Sequence, residues 1–172
     1  MRMVWAFALL WLGLIVESTI FEIPPMNAIQ PDFVLVILIL VALMRGPNAA
    51  VLFAIAIGLI QDICYGSFIG LNAFAYGVVA YFAAAVFGQF MQRNLAVTFF
   101  TTIVLTFVHL WIAYGLTRLF AVTADSPSYV LTQSMVSMMI NGIVALMLYP
   151  AFVRLLARPR HSRYDMTSNA EG

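Results

Sequence analysis

The sequence is dominated by two apolar runs, residues 33–44 and 49–60, which are separated only by a short polar turn, residues 45–48. Asp32 precedes the first run and Asp62 follows the second. A charged side chain at the centre of a helix in lipid costs roughly 2.5 to 3.5 kcal/mol, so charges are expected at the ends of such a hairpin. The pattern therefore predicts two antiparallel helices that enter a membrane together.

The second run carries small residues at every fourth position, Ala50, Ala54 and Gly58. Residues four apart share one face of a helix, and small side chains there let a neighbouring backbone come close. Asp62 continues the same row. We interpret it either as a carboxylate held between helices or as an ordinary acid at a helix end.

The composition is that of an integral membrane protein. Hydrophobic residues make up 64% of the 172 residues and charged residues only 9%, whereas a soluble domain has about 25% charged residues. Spans of ~20 residues allow about six helices. We predict one all-α domain, residues 1–157, and a short basic cytoplasmic tail, residues 158–172. The predicted spans are 3–21, 32–44, 49–63, 71–90, 95–119 and 129–153.

The two runs of the hairpin are short for membrane spans. Each has 12 residues, which gives a helix of ~18 Å against ~30 Å of hydrocarbon. Either flanking residues extend these helices, or the pair tilts, thins the bilayer or is sheltered inside the bundle.

The arginines predict the orientation. With six spans, only Arg118 falls on the side opposite the termini, and short loops rich in Arg stay in the cytoplasm. Both termini are therefore expected to be cytoplasmic. The arginines on that side are Arg2, Arg45, Arg93, Arg154, Arg158, Arg160 and Arg163.

Little in the sequence indicates chemistry. A single cysteine excludes an intrachain disulfide, and a net charge of +1 gives no surface for nucleic acid. We find no catalytic, cofactor or metal motif and predict that the protein is not an enzyme. The ionisable groups are expected around the ends of the bundle, with His109 the only one clearly deep in the bilayer. His109 is interpreted as a neutral imidazole bonded to a neighbouring helix.

Other polar residues have simple interpretations. Asp32 follows a proline and precedes a helix, as an N-cap does, and Arg45 fits a residue that fixes topology. Glu17 and Arg118 both belong near the outer boundary, where they either pair or Arg118 extends to the interface. A polar row on the last helix, Ser134, Ser137 and Asn141, indicates a helix contact rather than a substrate path.

Several short motifs in residues 31–77 resemble the MreD family of bacterial rod shape-determining inner-membrane proteins. They are Pro31-Asp32, Arg45-Gly46, Gly58-Leu59-x-x-Asp62 and Gly66-x-x-x-Gly70 followed by Leu71-Asn72. The resemblance implies a scaffold of the cell-elongation machinery that binds a single-span MreC-like partner. It also implies links to an MreB-type cytoskeleton and to the peptidoglycan polymerase and transpeptidase. The candidate packing and partner-binding residues are Asp32, Arg45, Gly46, Ala50, Ala54, Gly58, Asp62, Gly66, Gly70 and Asn72.

Two other functions remain open. The resemblance implies an architecture similar to the substrate-binding components of energy-coupling-factor vitamin transporters. Those components often carry Ala-x-x-x-Ala in the first helix, but here Ala6 and Ala8 are followed four residues later by Leu10 and Leu12. A flippase or ion-coupled carrier would need ionisable groups deep in the bilayer, which we expect only at His109.

Overall fold

The computed structural model describes residues 2–20, 31–88 and 94–156. In these segments the chain forms six α-helices and no strands. Residues 21–30 and 89–93, where predicted spans end and connections between spans begin, and the basic tail at 158–172 lie outside them. The helices are α1 (Arg2–Ile20), α2 (Phe33–Arg45), α3 (Pro47–Tyr65), α4 (Leu71–Phe82), α5 (Leu95–Leu119) and α6 (Pro127–Leu156). A π-helical segment, Ala83–Phe87, follows α4 directly, where a plain α-helix to residue 90 was expected.

Helix α2 is the centre of the bundle. Every residue from 34 to 43 is buried, and α2 contacts each of the other five helices. A helix that is apolar on all sides needs such a position, because each of its faces must be covered. Of the alternatives open for this short helix, shelter inside the bundle is the one observed.

The helices differ in length. By length and composition, three of the helices in the described segments can cross a membrane: α3, α5 and α6 up to Arg154. Three shorter apolar helical stretches accompany them, Val4–Thr19, Phe33–Arg45 and Leu71–Phe87. Helix α3 reaches 19 residues because flanking residues extend the apolar run in both directions, whereas α2 has only 13.

The turn between α2 and α3 is as tight as the sequence suggests. Gly46 has φ +91°, a backbone conformation that glycine adopts easily, and its N–H donates to the carbonyl oxygen of Ala42. Pro47 then starts α3 at a position where a missing N–H costs nothing. Arg45 lies in the last turn of α2, where a cation is favoured by the helix dipole.

Helices α5 and α6 form a second closely packed pair. A Cβ added to Gly142 would lie 2.8 Å from the ring of Phe99, so the two helices approach closely there. From the predicted polar row of α6, Ser134 and Asn141 are buried. The Asn141 amide donates to the Thr106 hydroxyl of α5 at 3.3 Å, which makes this part of the row a helix contact.

Candidate partner-binding site

Asp62 lies at the end of α3 and holds the beginning of α4. Its side chain is buried, and its two carboxylate oxygens accept three backbone N–H groups. Gly70 and Ala73 donate to Oδ2 at 2.9 and 3.1 Å, and Asn72 donates to Oδ1 at 2.9 Å. The carboxylate is therefore held between two helices, and in this structure its partners are backbone groups rather than a cation.

The first turn of α4 needs this acid because it has no cap of its own. Gly70 is the N-cap residue, with φ +105° and no side chain to accept a hydrogen bond. The first N–H groups of any helix lack partners within the helix and carry a partial positive charge. Asp62 supplies both the acceptors and the negative charge from the preceding helix.

The glycines of the motif let the two helices come close enough for this cap. A Cβ added to Gly58 would lie 2.5 Å from Cα and 2.6 Å from N of Ala73. One added to Gly66, the C-cap of α3, would lie 2.6 Å from Cα and O of Asp62. Ala50 and Ala54, on the same row as Gly58, are completely buried. The small-residue face of α3 is thus used inside the protein.

The paired helices α3 and α4 leave an open apolar groove on the surface, which we call the α3–α4 groove. It has a volume of about 550 Å³. Its floor is formed by small residues of α4, Ala73 and Gly77, and its walls include Val51, Ile55, Phe74 and Tyr81. A Cβ at Gly77 would meet only Ile55 Cγ1, at 3.8 Å, an ordinary contact distance. Packing within the chain therefore explains Gly58 but not Gly77.

A second cluster of polar groups surrounds the beginning of α2. Asp32 is the N-cap, as its position predicts, and its Oδ1 accepts the N–H of Leu35 at 2.7 Å. The Asp32 N–H donates to Asn141 Oδ1 at 2.9 Å. Glu17 Oε2 accepts the N–H of Val34 at 3.3 Å, so α1 also contributes to the cap of α2.

The expected distribution of ionisable groups around the bundle ends is wrong for this cluster. His109 is buried, and its Nδ1 lies 3.8 Å from Asp32 Oδ2. Three ionisable side chains, from α1, α2 and α5, therefore meet inside the bundle. Helix α2 has only 13 residues, and its first turn with the N-cap Asp32 meets side chains of α1 and α5. Among the residues described, Glu17 forms no ion pair with Arg118, which is exposed.

Sequence reasoning overlooked Tyr76 of α4. Its ring stacks on His109, with centroids 4.8 Å apart and an interplanar angle of 11°. Its hydroxyl is 3.5 Å from Asp32 Oδ1. The spacing of residues along α4 does not single out this tyrosine, because the groups that it contacts belong to α5 and to the start of α2. The general signal in the sequence is that a buried tyrosine usually needs a hydrogen-bond partner for its hydroxyl.

Comparison with known proteins gives one family. The family model for the rod shape-determining protein MreD matches residues 1–158. No curated protein and no solved structure matches the chain.

Proposed function

Because the chain belongs to the MreD family of rod shape-determining proteins, we propose that it is a non-enzymatic scaffold of the cell-elongation machinery. The observation that carries this proposal is the family match over residues 1–158. The roles of the polar motif residues support it, since Asp32 and Asp62 cap helices. We place the protein in the bacterial inner membrane, with six spans and both termini in the cytoplasm.

The partner that we propose is a single-span MreC-like protein whose helix lies in the α3–α4 groove. Helices associate in lipid mainly through close packing, and small residues permit the closest approach. The groove offers Ala73 and Gly77 four residues apart, on a helix that Asp62 fixes at its first turn. The fold has room for a Cβ at Gly77, so packing within this chain does not require a glycine there. A glycine at this position would instead let the helix of a partner protein approach α4 closely.

The other proposed partners are inferred from the family and from the proposed membrane orientation. The MreB-type cytoskeleton and the peptidoglycan polymerase and transpeptidase of elongation are reached directly or through the single-span partner. The arginines of the cytoplasmic side bind anionic lipid, each for ~1 kcal/mol. None of these contacts requires chemistry from this chain.

Depletion of the protein tests the proposed function. Rod-shaped host cells should become rounded and wider, and the protein purified from native membranes should carry a single-span protein with a periplasmic domain. Re-expression of the intact chain is the control and should restore rods. Rods of normal shape, together with a vitamin requirement and co-purified ATPase subunits, would instead support a substrate-binding component of an energy-coupling-factor transporter.

The groove itself is tested by Gly77→Leu. A leucine there should fill the floor of the groove and reduce recovery of the single-span partner about tenfold, the effect of losing ~1.4 kcal/mol, while the protein still folds. Gly115→Leu is the matched control, because Gly115 is exposed on α5 and nothing lies within 4 Å of an added Cβ. Equal recovery of the partner with both variants would exclude this groove as the binding surface.

A further inference from the structure

A polar cavity lies between α1, α2, α5 and α6, beside the first turn of α2. Its volume is about 150 Å³. The polar side chains around it are Glu17, Asp32, His109, Gln133, Ser137 and Asn141. Polar side chains inside a membrane protein usually pair with one another, with backbone groups or with a bound ligand. Some polar atoms of this cluster form the hydrogen bonds that cap α2. The cluster also lines the cavity.

His109 is the clearest uncompensated group. Its side chain is only 7% exposed, and neither ring nitrogen has a hydrogen-bond partner. The stacking on Tyr76 covers a face of the ring and leaves the edges, which carry the nitrogens, free to bind. A buried imidazole without any partner loses the hydrogen bonds it makes in water, at a cost of about 1 to 3 kcal/mol for each group. The cavity beside it is the space from which a ligand can supply these bonds.

Among the described residues around the cavity, none is an arginine or lysine that could match its acids. Within the described segments, neither Glu17 nor Asp32 pairs with an arginine, and Arg45 lies at the far end of α2. A carboxylate removed from water is stable only when it is protonated or faces a cation. No group of three His, Cys, Asp or Glu side chains able to hold a metal occurs in that part of the chain. The missing cation is therefore better matched by an organic group than by a metal ion.

In the membrane orientation proposed above, the helix lengths put the cavity below the outer surface of the membrane. With Arg45 at the inner boundary, the 13 residues of α2 put Asp32 ~20 Å above it, which is ~10 Å below the outer boundary. Asn141 is equally far from Arg154 along α6, and His109 is at a similar distance from Asn94 on α5. Gln133, two turns before Asn141, then lies near the outer boundary. The cavity is thus reached from the outer side.

We propose that this cavity binds an ammonium group, carried either by a small soluble amine or by the headgroup of an aminophospholipid. An ammonium has three donors, and the cavity offers carboxylate oxygens of Glu17 and Asp32 and a ring nitrogen of His109 as acceptors. An apolar cavity of about 150 Å³ in another protein holds a molecule of benzene, so a molecule the size of ethanolamine fits here. The amide and hydroxyl groups of Asn141 and Ser137 suit a hydroxyl on the same ligand.

The proposal is tested by thermal unfolding of the protein in detergent free of aminolipid, with intrinsic fluorescence used to monitor unfolding. Ethanolamine should raise the melting temperature in a saturable manner, and ethylene glycol, which has a hydroxyl in place of the ammonium, should not. In nanodiscs of phosphatidylcholine, adding phosphatidylethanolamine should raise the melting temperature if the ligand is a lipid headgroup. A response to either amine supports the proposal and identifies the source; no response to either, or an equal response to ethylene glycol, overturns it.

Charge-neutral variants locate the site. Glu17→Gln and Asp32→Asn should weaken binding on the order of tenfold or more, because hydrogen bonds to charged groups are worth about 1.5 to 3 kcal/mol. Asparagine also serves as an N-cap, so Asp32→Asn keeps the start of α2. Asp125→Asn, in the exposed loop before α6, is the control and should bind as the intact chain does. Unchanged binding in both cavity variants would place the amine elsewhere.

None of these measurements depends on the proposed scaffold function. Failure of the amine-binding proposal would therefore leave the scaffold proposal untouched, and failure of the scaffold proposal would leave the amine-binding proposal untouched.

Discussion

Asp62→Leu is expected to prevent folding of the α3–α4 pair. The leucine leaves the N–H groups of Gly70, Asn72 and Ala73 without their acceptor, and the hydrogen bond from Ala73 is buried while the other two are part-buried. A buried donor left unpaired costs about 1 to 3 kcal/mol, so the total loss is several kcal/mol against a typical domain stability of about 5 to 15 kcal/mol. The variant should be lost from membranes and should fail to restore rods in depleted cells.

Asp62→Asn should give an intermediate result. The amide oxygen can accept the two N–H groups that now bind Oδ2, from Gly70 and Ala73, but the NH₂ group then faces the N–H of Asn72. Abundance and melting temperature should therefore fall in the order Asp, Asn, Leu. Asp125→Leu is the matched control, because Asp125 is an exposed acid on the loop before α6. A leucine variant at position 62 that accumulates and complements normally would show that the cap is dispensable.

The small-residue row was predictable, and the burial of α2 was one of the alternatives that the sequence offered, because both depend on residues of a single helix. Ala50, Ala54 and Gly58 follow the four-residue spacing of a helix face, and the structure buries all three. The run from 33 to 44 is apolar on every side, which is typical of a buried helix. Local periodicity is enough for such features.

The partners of Asp62 were not predictable in the same way. They are main-chain N–H groups 8 to 11 residues further along the chain, and a backbone donor has no signature in the amino-acid sequence. The sequence left open whether the acid is held between helices or is an ordinary acid at a helix end. Which helix it would meet depends on how α3 and α4 cross, and this becomes visible only in three dimensions.

The shortness of α2 did have a signal in the sequence. An apolar run of 12 residues forms a helix of only ~18 Å, and α2 has 13 residues between Asp32 and Gly46. We expected the charge at a helix end, and Asp32 is indeed the N-cap of α2.

Gly58→Leu is expected to have an effect as large as that of Asp62→Leu, for a steric reason. An added Cβ would already lie 2.5 Å from Ala73 Cα, a backbone atom that cannot rotate away. Even Gly58→Ala should destabilise by about 1 to 3 kcal/mol through overpacking, partly offset by the better helix propensity of alanine, about 1 kcal/mol. A leucine must separate α3 from α4 altogether, so membrane abundance and complementation should both be lost.

Gly58 and Asp62 should also be coupled, because separating the helices breaks the cap. Ala73 is both the residue that Gly58 touches and a donor to Asp62 Oδ2 at 3.1 Å. In a double-mutant cycle, Gly58→Ala combined with Asp62→Asn should cost less than the sum of the two single changes. Leu59→Ala, on the exposed side of α3, is the control and should change stability little and independently of Asp62. Strict additivity of Gly58→Ala and Asp62→Asn in melting experiments would mean that the close approach and the cap are separate features.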